Sequence, residues 1–240
     1  MNKQEMDLFQ NKRVAAILFT GGKDSTRTIE LLRRSGYKIA CLVTMISENL
    51  ESYMLHTSNI RVVDFAAQAL EIPLVTGHTM GRKEEELDDI RNTVNTAMNQ
   101  FGFDTLGCGG IASEYQRSRV ESIADKLGLK TACPLWGVEQ FSYMQEIVAQ
   151  GYRFILTSVS AAGLDKSWLG REISYKDALE LSKLSEKFHF NLAFEGGEAE
   201  TLVLDCPLFL KQRLQIFDQE VEWFGDYGRL RIKKISLAAK

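Results

Sequence analysis

Residues 14–25 read VAAILFTGGKDS, and they constrain this 240-residue chain more than any other stretch. A short apolar run, Val14-Ala15-Ala16-Ile17-Leu18-Phe19, stops at Thr20-Gly21-Gly22-Lys23-Asp24-Ser25. Polar and apolar residues then alternate at helical spacing to Arg34. The order is a buried strand, a glycine turn and a helix N-terminus. Amides in the first turn of a helix have no intrahelical acceptor, and the aligned peptide dipoles add partial positive charge there. Phosphate binds readily at such a turn. Gly21 and Gly22 let the backbone approach an anion closely. Lys23 adds a full charge, and Thr20 and Ser25 add hydroxyl donors.

Spacing excludes two familiar phosphate loops. The Walker pattern needs Gly, four residues, then Gly-Lys-Ser/Thr. Here Asp24 directly follows Lys23, and no earlier glycine is suitably placed. A GxGxxG dinucleotide turn is absent too.

Hydrophobic residues make up 45% of the chain and charged residues 25%, enough for one large domain or two small ones with real cores. The net charge of −3 gives no electrostatic case for nucleic-acid binding, so no direct nucleic-acid partner is expected. Cys41, Cys108, Cys133 and Cys206 are far apart in sequence and form no CxxC, which predicts buried thiols rather than metal ligands or disulfides. The N-terminal MNKQEMDLFQNKR lacks an apolar stretch of signal-peptide length. No run approaches the ~20 apolar residues of a membrane span. A soluble, cytoplasmic protein with no membrane partner is expected.

Strands and helices alternate along the first half. Strands are predicted over 38–44, from Pro73, and over 105–109. Helices are predicted over 58–70, 82–101 and 114–127. This alternation implies a parallel sheet, in which ligands bind beyond the carboxyl ends of the strands. The acidic run Glu84 to Asp89 suits the positive end of a helix dipole as a solvated face. The second half is less regular: strands over 129–133 and 153–158, helices over 139–150 and 174–188, then a β-rich tail. Residues 229–237 alternate apolar and charged side chains, as an edge strand does. A boundary near residue 130 divides a domain that carries the glycine turn, 1–130, from a smaller one, 131–240, with a ligand site expected in the crevice between them.

The loop TGGKDS resembles the SGGKDS loop of the PP-loop ATP pyrophosphatases, with Thr20 in place of the first Ser. Further polar clusters follow predicted strands. They run from Thr44-Met45 through Glu48, Glu51 and His56, then over Gly109 to Arg119. Later come Pro134-Leu135-Trp136-Gly137, the stretch from Asp165 to Gly170-Arg171, and Glu195-Gly196-Gly197-Glu198-Ala199-Glu200-Thr201. In order and spacing these clusters resemble the diphthine–ammonia ligase family over most of the chain. Ala199 stands where that family carries an aromatic residue.

The resemblance implies an α/β fold of the HUP (adenine nucleotide α-hydrolase-like) type, with a parallel sheet and a second, smaller α/β domain. It also implies a reaction in which ATP, ammonium and diphthine, a modified histidine on translation elongation factor 2, give diphthamide, AMP and pyrophosphate. Thr20, Gly21, Gly22, Lys23, Asp24 and Ser25 would hold the phosphates, and the backbone of Thr44 and Met45 would line the adenosine pocket. Asp24 would orient Mg²⁺ or cap the helix. Arg117 and Arg171 are candidate clamps for carboxylate or phosphate. Glu195, Glu198 and Glu200 would bind a cation or Mg²⁺, or take a proton from ammonium. Trp136 and Tyr115 offer aromatic faces to the quaternary ammonium of diphthine. Glu48, Glu51, His56, Gln116, Gly170, Gly197 and Thr201 complete the expected substrate surface. A homodimer is compatible with the chain.

Three other functions share features of this sequence. A related amide ligase acting on a small carboxylate, such as a cobalamin precursor, would need nearly the same site. A tRNA thiolase or lysidine-type modifier would want a basic surface, and thiolases often carry a CxxC, which the charge and cysteines here do not provide. A nucleotide sensor of the universal-stress type would leave the acidic motif without a purpose.

Overall fold

A computed structural model describes residues 13–47, 62–80 and 85–240. The opening apolar run forms β1 (Val14–Leu18), and the residues after the glycine turn form α1 (Lys23–Arg34). There follow β2 (Lys38–Ser47), α2 (Val63–Leu70), β3 (Leu74–Thr79), α3 (Glu85–Phe101), β4 (Thr105–Gly107), α4 (Glu114–Leu127) and β5 (Lys130–Ala132). These strands pair in parallel, in the order β3-β2-β1-β4-β5. The chain steps outward from β1 through β2 to β3, then crosses back to place β4 on the other side of β1. A ligand crevice opens where the order reverses. Here it lies between the turn after β1 and the loop after β4.

The remaining elements are α5 (Gln140–Ala149), β6 (Arg153–Val159), a short 3-10 turn (Lys166–Trp168), α6 (Tyr175–Phe188), β7 (Ala199–Asp205), β8 (Gln212–Trp223) and β9 (Gly228–Ala239). Four of them make a second, antiparallel sheet in the order β7-β6-β9-β8. Helix α6 starts where the sequence predicts, because Ser174 and Asp177 form a reciprocal capping box.

One expectation holds only in part. In strand order β9 lies between β6 and β8, so Arg229 is flanked on both sides, but residues 230–237 pair with β8 alone and keep one open edge. Strand β9 pairs with β8 along its length, but with β6 only at Gly228 and Arg229. Beyond those residues the two strands form a ribbon, which alternates side chains because successive residues point to opposite faces. The alternation therefore reports the two faces of a ribbon whose strands each keep one open side.

Alternation along β1 divides the core. Ala16 joins Cys41, Val43, Leu106 and Cys108 beneath α3 and α4. Ala15 and Ile17 face the other way, in a cluster that runs on through Ile29 and Leu70 into Phe154, Leu156, Leu202 and Val203 of the second sheet. One apolar core thus spans both sheets and holds β7 against the glycine turn. Among the described residues, no helix is long and apolar enough to cross a membrane.

Candidate active site at the seam of the two sheets

The glycine turn sits at the crevice and is stitched to β7. Gly21 takes a left-handed conformation, φ 76°, open to glycine without steric cost. Its carbonyl accepts the Val203 amide at 3.0 Å. The Lys23 amide, in the first turn of α1, donates to Thr201 Oγ1 at 3.1 Å. A Cβ on Gly22 would lie 3.1 Å from that same hydroxyl, so the second glycine allows β7 to approach. Thr20 Oγ1 and Ser25 Oγ stand 3.3 Å apart across the turn, with the Gly22 amide 3.4 Å from Thr20 Oγ1. Asp24 and Ser25 contribute the next first-turn amides. Gly109 packs over them, because a Cβ there would come within 2.8 Å of Asp24 C and Ser25 N.

Lys23 is tied into the seam between the two sheets. It is 1% exposed. Its Nζ donates to Ala193 O at 2.7 Å and to Asp24 Oδ2 at 2.8 Å, with the rings of Phe194 and Tyr143 beside it. Asp24 Oδ1 accepts the Tyr143 hydroxyl at 2.6 Å. Both Asp24 oxygens are therefore engaged, and no side chain caps the helix at Gly22. Burial, reinforced by the Asp24 charge, pushes the Tyr143 phenol well above its ordinary range and keeps it a donor.

The acidic motif braces the backbone. Glu195 Oε2 accepts the amides of Ile111 at 2.9 Å and Ala112 at 3.2 Å, tying the loop after β4 to the second sheet. Glu198 accepts from Asn191 and Gly196 at 2.9 and 2.7 Å. Ser160 Oγ donates to the Gly197 carbonyl at 2.7 Å. Glu200 lies on β7 opposite Ser158, and Ala199 beside it is buried.

Both expected aromatic cation sites carry guanidinium groups of the chain itself. Arg117 stacks on Trp136, 4.5 Å from the ring centre, and its Nε donates to Glu121 at 2.8 Å. Arg119 lies 3.4 Å over the Tyr115 ring. The Gln116 amide donates to the Ser113 cap of α4. Arg171 stacks on Trp168 and pairs with Asp177 and Glu180, while Gly170, at φ 74°, packs near Gln219 and Leu230. These contacts hold Arg171 and Gly170 within the second sheet and its flanks. Glu48, Glu51 and His56 lie outside the described residues.

Thr44 and Met45 follow Val43, whose carbonyl accepts the last β1-side bond, from Phe19, before β1 leaves the sheet. Thr44 is 4% exposed, and its Oγ1 has no hydrogen-bond partner among the described residues. A buried hydroxyl without a partner costs free energy. The glycine turn and the first-turn amides together fit a phosphate-bearing ligand. No cluster of three or more His, Cys, Asp or Glu suited to a metal occurs among the described residues. Tyr143, Ala193 and the Ile111–Ala112 amides escaped the sequence reading. The one available signal was the Gly109-Gly110 pair at a strand end.

A parallel α/β sheet with a phosphate-type glycine turn at its switch point places the chain among α/β proteins built to hold a phosphate at the end of a strand. Residues 12–131 match the diphthamide synthase N-terminal domain, and residues 139–238 match the diphthamide synthase C-terminal domain. The chain belongs to the diphthine–ammonia ligase family. The diphthine–ammonia ligase of Danio rerio is 33% identical, over 91% of this chain and 94% of that protein. The Mus musculus diphthine–ammonia ligase is 30% identical, over 95% and 93%. Among solved structures, the U34-tRNA thiolase NcsA from Methanococcus maripaludis overlaps with a TM-score of 0.38 at 16% identity, covering 77% of this chain and 68% of that one.

Proposed function

We propose that this chain amidates diphthine on translation elongation factor 2, using ATP and ammonium and releasing AMP and pyrophosphate. The carrying observation is the glycine turn sealed against β7 by Lys23 N–H to Thr201 and Val203 N–H to Gly21, in a chain that matches this family over both halves. A carboxylate does not react with ammonia at neutral pH, because its leaving group would be oxide. Attack of the diphthine carboxylate oxygen on the α-phosphorus of ATP makes an acyl-adenylate, breaks the bond to pyrophosphate, and leaves AMP as the group that ammonia displaces.

The turn amides and the hydroxyls of Thr20 and Ser25 meet the charge that develops on the pyrophosphate, held in place before the reaction begins. Lys23 fastens Asp24 and the Ala193 segment, and acts on the phosphates through that placement. Mg²⁺ characteristically takes one or two carboxylates plus substrate phosphates; Asp24 is the carboxylate in the loop, and it would hold the ion through the lone pairs that Tyr143 and Lys23 leave free. Glu195 positions the Ile111–Ala112 segment over the crevice.

The test is pyrophosphate release from ATP and ammonium, with and without diphthine-bearing elongation factor 2. Expected is release only with the factor, together with AMP and the small mass decrease of replacing a carboxyl hydroxyl by an amino group. Release that ignores the factor would shift the substrate to a small carboxylate, and ADP as product would overturn the pyrophosphatase chemistry.

A further inference from the structure

Two of the four cysteines are brought together by sheet topology. Cys108 and Cys133 are 25 residues apart in sequence, yet their Sγ atoms stand 2.6 Å apart. Gly107 pairs with Ala132 across β4 and β5, and the Cys108 amide donates to Ala132 O at 3.0 Å. The cysteines thus occupy the next rung of the same ladder. Neighbouring strands run about 4.8 Å apart, inside the roughly 4.4–6.8 Å Cα separation that a disulfide bridges. Cys133 also lines a cavity of about 170 Å³ with Arg117, Glu121, Thr131 and Trp136, which gives a small reagent a path to its sulfur.

The other two thiols differ. Cys41 and Cys206 are buried, and burial pushes each up to about 12. Cys108 moves the opposite way, because the Cys133 thiol and the Gly110 amide hydrogen-bond to its sulfur. Cys133 moves up, because its thiol donates to Cys108 and is itself partly buried, so in the pair Cys108 is the thiolate and the base beside the Cys133 thiol.

We propose that Cys108 and Cys133 are a reversible redox dithiol site whose co-reactant is a small-molecule disulfide of the glutathione type. The Cys108 thiolate takes the Cys133 proton as the Cys133 sulfur, the one at the cavity, attacks one sulfur of that disulfide, whose S–S bond breaks and releases one thiolate. The released thiolate takes that proton from Cys108, whose sulfur then attacks the Cys133 sulfur, closing the protein S–S bond and expelling the second thiolate. The two protein thiols lose two electrons and two protons, and the external disulfide becomes two thiols. The bridge closes next to Gly109, at the base of the loop that covers the phosphate turn, and makes a covalent rung of β4 and β5.

The test incubates the reduced full-length protein with oxidised glutathione, quenches with an alkylating agent under denaturing conditions, and maps the cysteines by peptide mass spectrometry. Cys108 and Cys133 should lose alkylation together and appear as one linked peptide pair, reversed by dithiothreitol, while Cys41 and Cys206 remain fully alkylated. Cys108→Ala should instead accumulate a glutathione adduct on Cys133, since the resolving sulfur is gone. Full alkylation of all four cysteines in the treated wild type would overturn the proposal. So would a wild-type adduct at Cys133 that never resolves into the linked pair. Both outcomes are read on the wild type, so they stand if the variant fails to fold.

Discussion

The Tyr143 hydroxyl donates a 2.6 Å hydrogen bond to Asp24 Oδ1 across 119 residues of sequence. It joins α5 to the first turn of α1, and it fixes the carboxylate that the phosphate turn carries. Tyr143 is 4% exposed, so its ring belongs to the core and only its oxygen belongs to the site. Tyr143→Phe should keep the fold and lose about 1–2 kcal/mol in urea unfolding. It should also slow ATP–pyrophosphate exchange more than it weakens ATP binding, because Asp24 is then free to reorient. Exchange at the wild-type rate would remove Asp24 placement from the reaction.

Lys23 separates stability from nucleotide affinity. Its ammonium satisfies Ala193 O and Asp24 beneath two aromatic rings. Lys23→Met keeps the aliphatic stem and deletes those bonds, at an expected cost of about 1.5–3 kcal/mol for hydrogen bonds to a charged group. ATP affinity, measured by calorimetry on the folded variant, should change little. A large loss of affinity without loss of stability would return Lys23 to the phosphates.

Gly109 tests the approach of the β4 loop to the turn. The Cβ of Gly109→Ala would meet backbone atoms of Asp24 and Ser25 at 2.8 Å, and neither is a flexible side-chain end. Overpacking of this kind costs about 1–3 kcal/mol. The thermal midpoint should fall and nucleotide affinity with it, since the displaced amides are those offered to the anion. Gly110→Ala is the control, because nothing lies within 4 Å of a Cβ there.

Glu30 sets an acid limit on stability. Desolvation would raise its pKa, but the Tyr152 hydroxyl, Arg27 and Arg34 outweigh that and hold it below its ordinary value of 4.5. The folded chain therefore binds this proton more weakly than the unfolded chain. The stabilisation is present above the unfolded value and is lost as pH falls through the lower folded one. Denaturant midpoints followed from about pH 6 to pH 3 should fall less steeply in Glu30→Gln than in the wild type. Parallel curves would show that the Glu30, Arg27 and Tyr152 cluster carries no proton linkage.

Much of the scaffold was legible because its signals are local. The glycine turn follows an apolar run that can only be a buried strand. Helix α4 begins after Ser113, and α6 begins at the Ser174 capping box. Both are choices that a few neighbouring residues make among themselves. The open side of residues 230–237 is legible in their alternation, but the flanking of Arg229 by β6 is not, because alternation records two faces and says nothing about which strands lie alongside. The Arg117–Trp136 stack and the Glu195 bonds to Ile111 and Ala112 were likewise out of reach, since each joins residues distant along the chain.

By itself, the sequence determined that a strand, a glycine turn and a helix N-terminus come in the order an anion site requires, and that this motif opens a parallel α/β sheet. Those are consequences of period, turn chemistry and the unsatisfied amides of a helix start. Only the tertiary structure decided that β7 would seal the turn through Thr201 and Val203, that the Lys23 ammonium would meet Ala193 O and Asp24, and that Cys108 would meet Cys133. Those contacts depend on which strands become neighbours. That follows from burying one continuous core across both sheets, which no local stretch of the chain encodes.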